Sequence, residues 1–179
     1  MKKLNLGCGE DIREGFVNVD FIKNKGVDII WNLDSFPYPF KENEFDYILL
    51  NGILEHLKYP EKVIKEIWRI SKKNCTTRIS VAHFSCWQAW GDITHKRTFN
   101  HTSLFSFSDK KSHRSSTSLI NKQKECFKLS TKITFGKIKR ALGIEFLVNI
   151  NNATRGIYER HFSFIVPAEN IEWELKTIK

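Results

Sequence analysis

No apolar run in this chain approaches the roughly 18 residues that a membrane span needs. The opening MKKLNLGCG has two lysines but no long apolar stretch behind them. Neither a membrane anchor nor a secretion signal is expected, and the reading places the protein in the cytoplasm. Cysteine is sparse, with Cys8, Cys75, Cys86 and Cys126 and no pair at C-x-x-C spacing. That spacing argues against a structural zinc site, and in a reducing compartment the thiols are expected to be free. No internal repeat is present, and the 179 residues fit one domain of ordinary size.

Charge is abundant but unevenly spread. The net charge is +9, with 15 Lys/Arg against 13 Asp/Glu in residues 1–107, 6 against 2 in 108–128, and 8 against 5 in 129–179. The basic excess therefore lies in the rear. It suits anionic partners such as nucleic acid, phosphate or acidic glycan, and a solvated surface explains it equally well.

The front half alternates strand and helix signals. KLNL, GFVNVDF, GVDIIWNL, FDYILLN and TTRISVAHF read as five strands, the fourth continuous enough to be buried on both faces. Pro60 suits the first turn of a helix, and Val63, Ile64, Ile67 and Ile70 follow at helical spacing. Strands alternating with helices or crossovers predict a parallel α/β sheet. Residues 108–125 are rich in Ser and Lys and read as a basic loop. CFKLSTKITF reads as a strand, GKIKRALGI as a short helix ending at Gly143, and ATRGIYERHFSFIVP as a helix. IEWELKTIK places Ile171, Trp173 and Leu175 on one face of a closing strand.

The stretch LNLGCGEDIREGFVNVDF carries the chemistry. A strand running into Gly-x-Gly begins a nucleotide-binding α/β fold, whose ligand lies beyond the carboxyl ends of the strands. Asp20 ends the second strand, where an acidic residue can take two ribose hydroxyls. The dinucleotide fingerprint needs a third glycine, but position 12 is Ile. Glu10 and Asp11 would also repel a pyrophosphate. A ligand with an adenosine end and no phosphate fits better, and S-adenosylmethionine is the common one. Asp20 stands only eleven residues after Gly9, so the crossover is short and the helix usual there is expected to be compressed.

LNLGCG (4–9), GFVNVDF (15–21), DIIWNLDSFPYPFKENEFDYILLNGILEHL (28–57) and the helix after Pro60 follow one another in the order of a known family. Residues 3–83 closely resemble the class I S-adenosylmethionine-dependent methyltransferases, in particular the type 11 group. The resemblance extends weakly to 90–107 and to the closing YERHFSFIVPAENIEWELKTIK. It implies a Rossmann-like, mostly parallel sheet with an antiparallel C-terminal strand and helices on both faces. One domain would then comprise a cofactor-binding half (1–83) and a substrate-facing half (84–179). By the resemblance, Gly7, Cys8 and Gly9 line the methionine part of S-adenosylmethionine. Asp20 binds the ribose and Phe21 lies beside the adenine. Asn32-Leu33 stands where the family's Asp-Leu pair meets the adenine amino group, with Asp34 as a nearby substitute. Asn51, Gly52 and Ile53 form the floor under the sulfonium. In LEHL, Glu55 and His56 read as a packing and capping element below the cofactor.

Acceptor chemistry is expected after the fifth strand. HFSCWQAWGDITHKRTFNH packs His83, Asp92, His95, Lys96, Arg97 and His101 among Trp87, Trp90 and Phe99. Asp92 and His95 lie three apart, so one turn can bring them together. His95 is the expected base, oriented by Asp92; in the competing reading Asp92 caps a turn and the aromatics close the core. No tight ligand spacing points to a metal, and none is expected. His161 reads as an ordinary surface or interface histidine. The expected function is methyl transfer to a small-molecule or glycan-like acceptor. RNA or protein methylation by the basic rear and a non-catalytic cofactor-binding module are the alternatives.

Overall fold

The computed structural model describes residues 1–108 and 126–179, with the side chain of Cys126 not described. The expected basic loop at 108–125 therefore lies outside the described residues, apart from Ser108.

The strands are β1 (Lys3–Leu6), β2 (Phe16–Asp20), β3 (Ile29–Ile30), β4 (Phe45–Asn51), β5 (Ser71–Ala82), β6 (Cys126–Ile133) and β7 (Asn170–Ile178). They form one sheet in the order β3-β2-β1-β4-β5-β7-β6. The pairings β3–β2, β2–β1, β1–β4 and β4–β5 are parallel. β7 runs antiparallel to both β5 and β6. The strand order reverses between β1 and β4, which puts a crevice beyond their carboxyl ends.

The helix α1 (Pro60–Ile70) begins on Pro60, whose missing N–H costs nothing there. Its Val63, Ile64, Ile67 and Ile70 are all fully buried in the core with Leu4, Leu6, Ile48 and Leu50. The remaining helices are α2 (Gln88–Gly91), α3 (Lys137–Ala141), α4 (Ile144–Val148) and α5 (Asn152–His161). The stop at Gly143 is as expected: Gly143 takes φ +77°, which only glycine adopts at no steric cost. None of these helices is long and apolar enough to cross a membrane.

Two expectations need correction. Residues 7–15 hold no helix between β1 and β2; the crossover is a chain of turns. Two buried amides take over the helix's hydrogen bonding. Asn5 Nδ2 donates to the Asp11 carbonyl at 2.8 Å. Asn18 Oδ1 accepts the Arg13 N–H at 3.0 Å, and its Nδ2 donates back to the Arg13 carbonyl at 3.1 Å. A crossover too short for a helix can thus still satisfy its backbone. The third strand is also far shorter than GVDIIWNL suggests. Among the described residues it pairs only with β2, and after Trp31 the chain turns, with the Ser35 N–H on the Asn32 carbonyl.

Candidate functional site

The glycine turn hangs on β2. The N–H groups of Gly7 and Cys8 both donate to the Val19 carbonyl, at 2.8 and 3.0 Å. Asp20 is buried at the carboxyl end of β2. Its Oδ2 accepts the Gly9 N–H at 2.8 Å and its Oδ1 accepts the Ile22 N–H at 3.0 Å. A carboxylate offers about four acceptor positions, so two remain for vicinal hydroxyls. Open space faces Gly9, and the neighbouring Phe21 ring is 65% exposed, a surface that a flat base can cover. Burial first, and then the Asp20 charge, push the Cys8 thiol pKa up, which favours the protonated thiol.

Asn32 is exposed, and its side chain accepts the Asp34 N–H at 2.9 Å. Leu33 differs: its side chain lies in the core, and its carbonyl accepts the Tyr38 hydroxyl at 3.0 Å. Its apolar side chain goes to the interior, so only its backbone remains for a ligand. Asp34 has backbone partners of its own. Its carboxylate accepts the N–H groups of Lys58 and Tyr59 at 2.9 to 3.2 Å, securing the entry to α1.

Beyond the ends of β4 and β5 lies a cleft of about 660 Å³. Asn51 and Gly52 form one side, Ser80 to Ala82 another, and Glu55, His56, Trp87, Asp92, Ile93 and His95 close over them. Ile53 packs directly on Gly7, joining this cleft's edge to the glycine turn. The loop carrying His95 is docked on the turn after β4. The Lys96 N–H donates to the Glu55 carbonyl at 2.9 Å, and the Arg97 guanidinium to the Lys58 carbonyl at 2.9 Å. No Lys or Arg lines the cleft among the described residues.

Asp92 and His95 come together as their spacing suggests, with Asp92 Oδ2 3.8 Å from His95 Nε2. Asp92 also caps its turn, accepting the N–H and hydroxyl of Thr94 at 2.8 and 2.6 Å, which holds its carboxyl below the usual carboxylate range. The other ring nitrogen of His95, Nδ1, faces the Ala89 carbonyl at 3.1 Å, so this carbonyl sets the ring's orientation. His56 joins the same wall, its ring centroid 4.6 Å from that of His95. Glu55 does too, although 96% of it is buried, with 4% exposed. By sequence these two residues read as packing and capping, because nothing local reveals that a distant loop will close over them.

His83 and His101 do not reach the cleft. Both are buried against Glu159 of α5, His101 Nδ1 at 2.6 Å and His83 Nε2 at 3.3 Å. Glu159 also accepts the His101 N–H at 2.7 Å. Burial raises the Glu159 pKa, but the hydrogen bonds from His101 and His83 outweigh it and leave the value at about 2. The two ends of the loop that carries Asp92 and His95 are thus fastened to one carboxylate. Phe99 enters the core, whereas Trp87 is exposed at the cleft, and Trp90 and His161 are exposed.

A parallel sheet ordered 3-2-1-4-5 and continued by an antiparallel 7-6 pair, with a glycine turn and an aspartate at its switch point, is the fold of the class I S-adenosylmethionine-dependent methyltransferases. Residues 8–78 match the family model of a methyltransferase domain. An uncharacterised protein of Methanocaldococcus jannaschii is 32% identical over 72 residues; the match covers 40% of this chain and 34% of that protein. The chain thus spans about a third of the length of this curated relative. Among solved structures, an S-adenosylmethionine-dependent methyltransferase from Archaeoglobus fulgidus superposes with TM-score 0.58 at 15% identity, covering 98% of this chain and 85% of that one. A phosphoethanolamine N-methyltransferase of Haemonchus contortus, in complex with phosphomonomethylethanolamine and S-adenosylhomocysteine, superposes with TM-score 0.58 at 16% identity, covering 98% of this chain and 48% of that one.

Proposed function

We propose that the protein transfers a methyl group from S-adenosylmethionine to a small-molecule or glycan-like acceptor in the cleft beside Asp92 and His95. The observation that carries this reading is the pairing of Asp20, with acceptor capacity to spare beside the open Gly9, and a cleft that begins at Asn51 and Gly52. Gly7, Cys8 and Gly9 would hold the methionine part, Asp20 the ribose and Phe21 the adenine face. Asn32 and the backbone of Leu33 would flank the base. Asn51, Gly52 and Ile53 would support the reacting end.

The cofactor supplies an electrophilic methyl group on a positively charged sulfur. What the chain must supply is alignment and exclusion of water, which are the main sources of rate for such a displacement. Asp92 and His95 form the acceptor-facing wall and are the residues assigned to contact the acceptor. The lining carboxylates, without Lys or Arg among the described residues, favour a neutral or cationic acceptor over a phosphorylated one. The exposed face of Trp87 at the cleft suits the apolar face of a sugar ring.

The experiment is to incubate the protein with methyl-labelled cofactor and fractionated cell extract, and to identify the labelled product. Label in a small molecule or glycan fraction supports the reading, and label in RNA or protein replaces it. Stabilisation by S-adenosylmethionine with no label transferred points to a binding module.

A further inference from the structure

The Glu55, His56 and His95 side chains each place one ligating atom within 4.8 Å of the others. We propose that these three residues bind a divalent first-row transition-metal ion at the side of the cleft. The inference deepens the functional reading by adding a cation to the same acceptor pocket.

Three observations beyond proximity support it. Among the described residues, Glu55 Oε2 is buried without a hydrogen-bond partner, while Oε1 has only the Ala82 N–H at 3.4 Å. A buried carboxylate oxygen without a partner is costly, and a cation removes the cost. Second, His95 Nδ1 faces the Ala89 carbonyl, which can only accept, so Nδ1 carries the proton and Nε2 keeps its lone pair. Third, the Thr94 hydroxyl donates to Asp92 Oδ1 at 2.6 Å, so at 2.8 Å it accepts from His56 Nδ1. The Nε2 of His56 is then also a free lone pair. Both rings are held through the nitrogen that a metal does not need, which is how ligating histidines are usually fixed.

Two imidazole nitrogens and one carboxylate oxygen suit Zn²⁺, Co²⁺ or Fe²⁺ better than Mg²⁺ or Ca²⁺, which prefer all-oxygen shells. Three protein ligands leave coordination open for an oxygen or nitrogen of the acceptor. Asp92 then acts through Thr94 as a positioning residue for His56. In the metal-loaded protein His95 is a ligand through Nε2, the nitrogen a base would need.

The test uses the metal-free protein without cofactor, titrated with Zn²⁺ by calorimetry and with Co²⁺ by visible absorption. One equivalent should bind, with the d–d bands of a low-coordinate nitrogen/oxygen site. Glu55→Gln, His56→Ala and His95→Ala should each weaken binding at least about tenfold, and Thr94→Val should weaken it less. Circular dichroism and thermal unfolding check that each variant folds. No binding by the parent protein overturns the proposal. So does unchanged binding by Glu55→Gln, a near-isosteric variant, with native unfolding behaviour. Stabilisation by S-adenosylmethionine without metal binding rejects only the metal site; Zn²⁺ binding without that stabilisation rejects only the cofactor reading.

Discussion

A Cβ atom on Gly7 would stand 2.9 Å from Cβ of Ile53, and Gly7 already holds φ at +68°. The end of β4 presses on the turn after β1, so glycine is required there for two separate reasons. Gly7→Ala should cost at least about 1 kcal/mol from the left-handed backbone alone, with the overlap added. It should also separate the turn from the cleft edge. Urea unfolding and stabilisation by S-adenosylmethionine measure the two effects. Full stability together with full cofactor response would contradict both requirements.

Asp20→Asn keeps the shape but leaves one acceptor oxygen for two backbone donors. The ribose would lose its charged partner. Charge-assisted hydrogen bonds contribute about 1.5–3 kcal/mol, so cofactor affinity should fall by about ten- to a hundredfold. Calorimetric titration with S-adenosylhomocysteine reads this directly, and an unchanged affinity would move the ribose site elsewhere.

Asn32 and Asp34 are two residues apart but should behave differently. Asn32→Ala should weaken cofactor binding while leaving stability within about 0.5 kcal/mol, as is usual for exposed sites. Asp34→Ala strips the acceptor from the Lys58 and Tyr59 N–H groups and should lower stability by about 1–2 kcal/mol. Paired unfolding and binding measurements decide the assignment; a reversed pattern would make Asp34 the adenine partner.

Glu159 predicts an acid limb to stability. Its carboxyl falls from 4.5 to about 2 in the folded protein, so it stabilises the fold wherever pH lies above its unfolded value. That contribution, about 3 kcal/mol when complete, is lost as pH falls from about 4.5 towards 2. The charged or titratable groups around it are His83, His101, Arg155 and Tyr158. Glu159→Gln should destabilise the protein at pH 7 and flatten the decline between pH 5 and 3. Denaturation at pH 7 and pH 3 should show it, and a parallel loss in both proteins would assign the acid limb to other carboxylates. Turnover should also fall, because a single amide oxygen replaces the carboxylate that fastens both ends of the loop bearing Asp92 and His95.

Much of the architecture is visible in local patterns. KLNL before Gly7, the continuous FDYILLN and the 63-64-67-70 spacing behind Pro60 each reflect a neighbour a few residues away. Where those patterns mislead, a long-range partner decides. GVDIIWNL is apolar enough for a long strand, yet its pairing with β2 is confined to Ile29 and Ile30. His83 and His101 look like candidates for chemistry in sequence, yet both are buried on a carboxylate from α5.

The sequence by itself determined most of the strands, the glycine turn after the first of them, the aspartate that ends the second and the absence of a dinucleotide fingerprint. All of these depend on side-chain periodicity and backbone torsions within a short segment. The tertiary structure alone decided that Asn5 and Asn18 replace a helix, that Asp34 secures α1, and that Glu159 fastens the loop bearing Asp92 and His95. It also decided that Glu55 and His56 meet His95 from about forty residues away. Such groupings depend on strand order and loop docking, which bring distant side chains together without leaving any regular spacing in the chain.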